Sequence, residues 1–528
     1  RDLPDPDKRV GDRISKLKKN EVGSHRILSL TQNGKSVNVE VTGTVAKVQL
    51  AEPIQPGASA TFEMTFESQV PVQIRRSGRN NKEGIDYTMT QWYPKMAEYD
   101  TDGWHPDQYV GREFYAPYGT FDVTINIHKD FTLGGTGVLI NAEELGYGYF
   151  DGKVKKQKSK MRSWNFKAEN VHDFAWAADK DYTHRSFQVE NGPMVHLLYS
   201  EKTANVKNWD QLDEYVIKYF QFMEEKFGKY PYPQFSIIQG GDGGMEYPMC
   251  TMMLGGGKSL KGLVGLFVHE ATHNWYYGIL GSNENRYPWM DEGFTSFAEE
   301  EYMNAHFNKE KKVNPHTGAY GSYLYLNAVG DTTPGLREPM NIAGDFFNTN
   351  KMYSFTAYPF GQLFVNQVRY IVGEEAFWNG MKTYFDTWKF KHPDYHDFIR
   401  IMEVESDMEL DWFPQMWLNT TRKIDYGIKE VVHTGTEGKL ILEKKGDFMM
   451  PVDVYISLKN GDVIGYTIPL VLQYGWKEDF GALPAWPWTN RTYEWDLPYP
   501  VDQIETIAID PMRMMCDTDL ENNTWEAK

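Results

Sequence analysis

Cysteine is almost absent from this 528-residue chain, which holds only Cys250 and Cys516. Two thiols cannot form a disulfide framework, so a small disulfide-stapled fold is excluded. For the pair itself, two free thiols are favoured over a single bridge, which stays open as an alternative. The chain also lacks any run of about eighteen apolar residues, so it has no predicted transmembrane segment.

Positive charge is scarce as well. The chain has 55 Lys and Arg against 73 Asp and Glu, which gives a net charge of −18 at pH 7. This balance argues against nucleic acid and anionic membranes as partners, since both require clustered positive charge. A negative field instead favours cationic ligands, and a free amino terminus is one of them.

The chain opens with RDLPDPDKRV, which offers neither an initiator Met nor the apolar stretch of a signal peptide. We therefore expect a processed or trimmed product. The length exceeds what one hydrophobic core supports, so several domains are predicted. Alternation of apolar and polar residues predicts a β domain over 1–198. Helical spacing then dominates over 199–424, and alternation with hairpin-type turns returns over 425–528.

One stretch carries recognisable chemistry, GLFVHEATHNWYYG. His269 and His273 are four residues apart, so on a helix both imidazoles project from one face and can reach one metal ion. Glu270 lies about 100° around that helix from His269 and suits a general base acting on metal-bound water. The alternative is an ordinary buried helix turn with structural histidines.

A catalytic zinc site of this kind requires a third protein ligand and an open fourth position. Eighteen residues separate His273 from Glu292, which lies at the start of a second predicted helix in NRYPWMDEGFTSFAEEEY. Glu292 is therefore the predicted third ligand. Glu299 is seven residues further on the same face, where it can accept the free N–H of a ligand histidine.

These motifs resemble the aminopeptidase N family of gluzincin zinc metallopeptidases. HEATHNW with Glu292 after eighteen residues matches the zinc-binding pattern of that family. GGMEYPM at Gly243–Met249 is similar to its Gly-x-Met-Glu-Asn exopeptidase motif, and the segment from Tyr358 to the Gly-Glu-Glu at 373–375 resembles a third family segment. The resemblance runs from about Gln91 to the end of the chain.

The resemblance implies a multidomain α+β fold: an antiparallel β domain that is truncated at its start, a thermolysin-like helical catalytic domain, and a small C-terminal domain like a β-sandwich. It also implies one Zn²⁺ per chain and a peptide substrate with a free amino terminus. The implied roles are zinc ligation by His269, His273 and Glu292, activation of water by Glu270, oxyanion binding by Tyr358, binding of the substrate amine by Glu246, and peptide binding by Gly243, Gly244, Met245 and Gln91.

Three positions depart from the family pattern. Tyr247 replaces the asparagine after Met-Glu, and Phe360 replaces a lysine before Gly361. In TQWYP, Tyr93 occupies the place of a glutamate that helps to bind the amine in many relatives. We therefore expect Glu246 to hold the amine with weaker support.

The leading hypothesis is a zinc aminopeptidase, and two alternatives stay open. One is a gluzincin of altered scope, either endopeptidase-like or an epoxide hydrolase. The other is a non-catalytic scaffold that binds peptides. The missing Met and the habits of the family favour an exported location over a cytoplasmic one.

Overall fold

The chain forms two units in the computed structural model. The first unit is Arg1–Phe222 with Lys229–Gly281, and the second is Met223–Gly228 with Ser282–Lys528. Cys250 and Cys516 are both free and buried, so the alternative of a disulfide between them is excluded. The structure describes residues 10–109, 113–155, 157–241, 243–257, 259–308, 314–332, 336–477 and 480–527.

The first unit is built mainly of short β-strands. They are β1 (Ser24–Gln32), β2 (Lys35–Ser36), β3 (Asn38–Thr42), β4 (Val45–Gln49), β5 (Phe62–Gln69), β6 (Gly78–Arg79), β7 (Tyr87–Met89), β8 (Tyr99–Asp100), β9 (Gly103–Trp104), β10 (Gly119–His128), β11 (Thr132–Gly135), β12 (Val138–Leu139), β13 (Met161–Val171), β14 (Trp176–Asp179), β15 (Tyr182–Gln188), β16 (Met194–Ser200), β17 (Gln234–Gln239), β18 (Met245–Tyr247) and β19 (Cys250–Met253).

The longest strand pair of this unit shows why alternation predicts strands here. β10 and β13 pair antiparallel, and Trp164, Phe166 and Ala168 are buried at every second position of β13. A pleated strand turns successive side chains to opposite faces, so this spacing places the three side chains on one core face. The predicted N-terminal β region is confirmed.

A five-stranded mixed sheet, ordered β15-β16-β17-β19-β18, carries the exopeptidase-like motif. β16, β17 and β19 run parallel, whereas β18 pairs antiparallel with β19 at the edge. All six residues of β17 are buried, as expected for a parallel strand that is covered on both faces, although Gln234, Ser236 and Gln239 are polar. β18 places Glu246 opposite Thr251.

Four helices accompany these strands: α1 (Ala142–Leu145), α2 (Val206–Trp209), α3 (Leu212–Lys226) and α4 (Leu260–His273). The Ser259 side chain caps α4 by accepting a hydrogen bond from the backbone N–H of Gly262 at 3.1 Å. Tyr219, on α3, contacts α4 at two points. Its ring centroid lies 5.1 Å from that of Phe267, and its hydroxyl lies 3.0 Å from Thr272 Oγ1. A π-helical turn, Asn274–Ile279, continues α4.

The second unit begins with helices, which are α5 (Pro288–Phe307), α6 (Thr317–Thr332), α7 (Asn350–Phe355), α8 (Gly361–Val372), α9 (Glu374–Trp388), α10 (Tyr395–Ser406) and α11 (Trp412–Asn419). Pro288 lies in the first turn of α5. Backbone N–H groups in the first turn have no acceptor within the helix, so the missing N–H of proline costs no helical hydrogen bond there. α5 and α8 approach closely at two glycines, since a Cβ on Gly293 would lie 2.5 Å from the Gly361 Cα. A π-helical turn, Thr356–Phe360, precedes α8.

The chain ends in strands β20 (Tyr426–Thr434), β21 (Glu437–Lys444), β22 (Val452–Leu458), β23 (Val463–Ile468), β24 (Gly481–Ala482), β25 (Thr492–Asp496), β26 (Ile504–Ile509) and β27 (Thr524–Glu526). They form a three-stranded sheet, β20-β21-β25, and a five-stranded sheet, β24-β23-β22-β26-β27. The predicted order of β region, helices and C-terminal β sheets is confirmed, whereas the exact domain boundaries stay a prediction. None of the helices in the described ranges has the length and apolarity to cross a membrane.

Candidate functional site

Helix α4 places the two histidines of the HExxH motif one turn apart. The Nε2 atoms of His269 and His273 are 3.3 Å from each other, and their rings are nearly perpendicular at 85°. Two nitrogens bound to one tetrahedral zinc at about 2.0–2.1 Å would be separated by about 3.3–3.4 Å. The imidazole pair is therefore spaced as two ligands of a single zinc ion.

Glu270 lies against the backbone of the exopeptidase-like motif. Only 6% of Glu270 is exposed. A Cβ added to Gly244 would lie 1.9 Å from Glu270 Oε1, a distance that no side chain can occupy. The structure thus brings two predicted site residues together, and a side chain at residue 244 would displace either the Glu270 carboxylate or its own segment.

Glu246 is buried on the edge strand β18, with 4% of its surface exposed. Its neighbours in sequence are both in the core: Met245 is 7% exposed and Tyr247 fully buried, within a cluster that includes Ile85 and Leu198. Burial raises the pKa of the Tyr247 hydroxyl well above its ordinary value. Gly243 adopts φ +107°, which a residue with a side chain rarely tolerates.

Glu292 and Tyr358 meet within the second unit. The Tyr358 hydroxyl donates a hydrogen bond to Glu292 Oε1. Glu292 lies in the first turns of α5 and is 4% exposed, and Tyr358 belongs to the π-helical turn before α8. Glu299 is two turns further along α5 and half-buried. The resemblance assigns the Tyr358 hydroxyl to an oxyanion, and in this structure the group it faces is the Glu292 carboxylate.

Gln91 is placed by a carboxylate that the sequence analysis missed, Asp173. Its side-chain Nε2 donates to Asp173 Oδ2 at 2.5 Å. The Tyr93 hydroxyl donates to Oδ1 at 3.0 Å, and Lys95 Nζ lies 2.9 Å from Oδ2. Gln91, Tyr93 and Lys95 occupy alternate positions, which signals a shared face in extended chain. Nothing in the sequence identifies the partner, which lies about eighty residues away.

Asp173 is fully buried and still ionised. Burial alone would raise the pKa of its carboxyl group, but the Lys95 ammonium and the hydrogen bonds from Lys95 and the Phe174 N–H hold that pKa below its usual value. Tyr93, at the family's glutamate position, is therefore a donor to a carboxylate. A glutamate there would bring a second negative charge to Asp173.

Residues 212–417 match the model of the Peptidase family M1 domain. This part of the chain is therefore similar to the peptidase M1 domain. This match confirms the resemblance drawn from the zinc-binding and exopeptidase-like motifs, and it covers α4, α5 and the turn that holds Tyr358.

Relatives of the M1 domain are found among curated proteins. The chain is 28% identical over 225 residues to aminopeptidase B of Mus musculus, a match that covers 38% of this chain and 31% of the relative. It is 21% identical over 237 residues to leucine aminopeptidase 2-1 of Meyerozyma guilliermondii, a match that covers 43% of this chain and 35% of that relative. The chain thus spans about a third of the length of these relatives.

Solved structures share the fold of this chain. Legionella pneumophila aminopeptidase A in complex with aspartic acid aligns with a TM-score of 0.63 and 14% identity, over 95% of this chain and 55% of that one. A mutant of the M1 zinc metallopeptidase of Deinococcus radiodurans, bound to a Tyr-Ser-Ala substrate, aligns with a TM-score of 0.54 and 15% identity, over 75% and 84%. At these identities the likeness concerns the fold alone.

Proposed function

We propose that this protein is a zinc-dependent aminopeptidase, which hydrolyses the first peptide bond of peptides with a free amino terminus. The observation that carries the proposal is the 3.3 Å separation of the His269 and His273 Nε2 atoms on α4, with the Glu270 carboxylate buried beside them on the same helix. The peptidase M1 match over 212–417 and the aminopeptidase relatives support the reaction class.

His269, His273 and Glu292 are the proposed ligands of one zinc ion per chain. Two neutral imidazoles and one carboxylate are the donor set of many catalytic zinc sites, which keep a fourth position open for water or substrate. The Tyr358 hydroxyl, which donates to Glu292 Oε1, would orient that carboxylate in the way that outer hydrogen bonds fix metal ligands. When bound, zinc acts as a Lewis acid that polarises the scissile carbonyl and acidifies a water molecule.

The proton transfers are assigned to Glu270. Its carboxylate accepts a proton from the attacking water and later delivers a proton to the leaving amine. The contact with Gly244 fixes where this carboxylate can lie, because any side chain at residue 244 would occupy the same space as Oε1. Tyr358 is also the proposed donor to the oxyanion that develops on the substrate carbonyl, and since its hydroxyl has one proton, it would release Glu292 Oε1 when it donates to the substrate.

Glu246 is the proposed partner of the substrate's α-ammonium group. A buried ammonium requires a carboxylate, and Glu246 is a buried carboxylate in the motif that also supplies Gly244. Gly243, Gly244 and Met245 would line the extended substrate backbone. Gln91 is given no direct role with the amine, since its amide donates to Asp173.

The experiment compares one peptide with a free and with an N-acetylated amino terminus, each with and without a chelator. The proposal expects the free peptide to be hydrolysed much faster than the acetylated peptide, with turnover lost in the chelator and regained with Zn²⁺. Equal turnover of the free and the acetylated peptide would indicate the endopeptidase-like alternative. Turnover of an epoxide instead of a peptide would indicate the epoxide hydrolase.

Glu270→Gln separates an enzyme from a peptide-binding scaffold. The variant should retain zinc and lose turnover, because an amide cannot accept the proton. Glu437→Gln, an exposed position on β21, is the matched control and should keep full turnover. Equal turnover of Glu270→Gln and the wild type would overturn the mechanism.

A further inference from the structure

A cavity of about 650 Å³ opens beside the C-terminal sheets, within the second unit. Three cationic side chains line it, those of Arg422, Lys444 and Arg491, and we call it the cationic pocket. Lys444 ends β21 and Arg491 immediately precedes β25, and their backbones are joined by a hydrogen bond from the Lys444 N–H to the Arg491 carbonyl at 2.8 Å. Strand pairing therefore fixes two of the three cations side by side.

The charges of the cationic pocket are unbalanced. Asp447 is its one acidic lining residue, and it lies 3.3 Å from the Arg491 guanidinium. Lys444 is only 8% exposed, and its Nζ donates to the Trp488 carbonyl at 2.8 Å. No carboxylate of the described residues forms an ion pair with Lys444. Burial, together with Arg491 and Arg422, lowers the pKa of Lys444, as expected for an ammonium held near like charges.

The remaining wall is mainly apolar, with Thr489 as a polar residue among its described lining. Met416 and Met449 line the cavity, and Trp488 and Leu472 contribute side chains that are 52% and 37% exposed. The exposed Trp488 ring offers an apolar surface that a ligand can cover. The volume lies within the range of small-molecule sites, about 300–1,000 Å³.

We propose that the cationic pocket binds a small organic carboxylate whose apolar or aromatic body packs against Trp488. Guanidinium groups bind carboxylates through paired N–H donors, and the buried Lys444 ammonium gains a counter-charge that the protein itself does not provide. This site uses none of the residues assigned to peptide hydrolysis, and it concentrates positive charge on a chain whose net charge is −18.

Titration calorimetry with phenylacetate tests the proposal, with phenylacetamide as the neutral control of the same shape. We expect saturable binding of phenylacetate and at least about tenfold weaker binding of the amide, because hydrogen bonds to a charged group are stronger. Equal binding of both compounds would overturn the proposal. Inorganic phosphate should compete only weakly with phenylacetate, since it lacks an apolar body. If phosphate binds and phenylacetate does not displace it, the pocket is a phosphate site and the proposal is contradicted.

Variants locate the site. Arg422→Gln, at an exposed side chain, and Trp488→Ala should each weaken phenylacetate binding by about tenfold. Lys459→Gln, an exposed lysine outside the pocket, is the matched control and should bind normally. Thermal unfolding of each variant verifies folding, and peptide turnover should be unchanged. If Arg422→Gln and Trp488→Ala bind phenylacetate as the wild type does, the pocket is not the site.

Discussion

Glu246 has one chemical role in the proposed reaction, to neutralise the substrate's ammonium group. Glu246→Gln keeps the size of the side chain and removes its charge. We expect kcat/KM for a free peptide to fall by about 10- to 100-fold, since a charge-assisted hydrogen bond is replaced by a neutral one.

The N-acetylated peptide provides the discriminating measurement for Glu246→Gln. It has no ammonium, so its slow hydrolysis should be unaffected or slightly improved, and the preference for a free amino terminus should shrink. Loss of both activities in equal proportion would show that residue 246 acts by supporting the fold. Zinc content, measured on the same preparations, should remain one per chain.

The buried Asp173 carboxylate predicts how this part of the molecule responds to acid. Its folded pKa is lowered, so it contributes stability that is present above its ordinary pKa of 3.8 and is lost as pH falls through the folded value. In Lys95→Gln the effect of burial prevails and the pKa of Asp173 rises. Above its ordinary pKa the buried charge then destabilises the fold, and this deficit shrinks as pH falls through the raised pKa and the carboxyl group is protonated.

We expect the difference in unfolding free energy between the wild type and Lys95→Gln to be largest at neutral pH and to shrink as pH falls towards about 4. At neutral pH the variant should lose about 3 kcal/mol of unfolding free energy, since a buried charge is left without its cation. Lys47→Gln, at an exposed lysine of β4, controls for the loss of a surface charge. Denaturant unfolding followed by circular dichroism at about pH 7 and about pH 4 measures both effects, and a stability difference that does not change with pH would contradict this account of Asp173.

At the scale of elements, the segment leading into β18 limits where the Glu270 carboxylate of α4 can lie. Gly244→Ala places a methyl group where Glu270 Oε1 lies, so either the segment or the carboxylate must move. A displacement of about 1 Å in a catalytic group costs about 100-fold in rate, and we expect a loss of that order in kcat. Zinc content should not change, because the substitution leaves the proposed ligands His269, His273 and Glu292 in place.

Gly257→Ala is the matched control for Gly244→Ala. Its added Cβ would meet Leu263 at 3.7 Å, an ordinary van der Waals distance, so the substitution should be tolerated. Single-turnover kinetics on both variants separate the chemical step from binding. Equal rates for the two glycine variants would show that the close approach of Gly244 to Glu270 has no catalytic role.

Local patterns predict elements well in this chain and contacts between distant elements poorly. The spacing of His269 and His273 predicted a helix, and α4 with its π-helical turn is found there. The helix of Glu292 was likewise predicted from periodicity. The contact of Gly244 with Glu270 depends on the path of the chain between β18 and α4, which no periodicity encodes. The contacts of Asp173 and the lining of the cationic pocket likewise join residues that are distant in sequence and that only folding brings together.

For the whole molecule, the net charge of −18 predicts how substrates are selected by charge. A negative field raises the local concentration of cationic peptides and repels anionic ones, and the effect acts on association. It is screened over about 10 Å at 0.1 M salt. Two tripeptides with the same first residue, one with lysine and one with glutamate at the last position, isolate this effect from recognition of the amino terminus.

We expect kcat/KM to favour the lysine peptide at about 20 mM salt, and the ratio to approach one at about 500 mM, where screening is nearly complete. The change should lie in KM, because the chemical step takes place on a substrate that is already bound. A neutral tripeptide with alanine at the last position should vary least with salt. If the ratio is the same at both salt concentrations, the lysine preference arises from a direct contact near the last residue, and the global charge has no part in substrate selection.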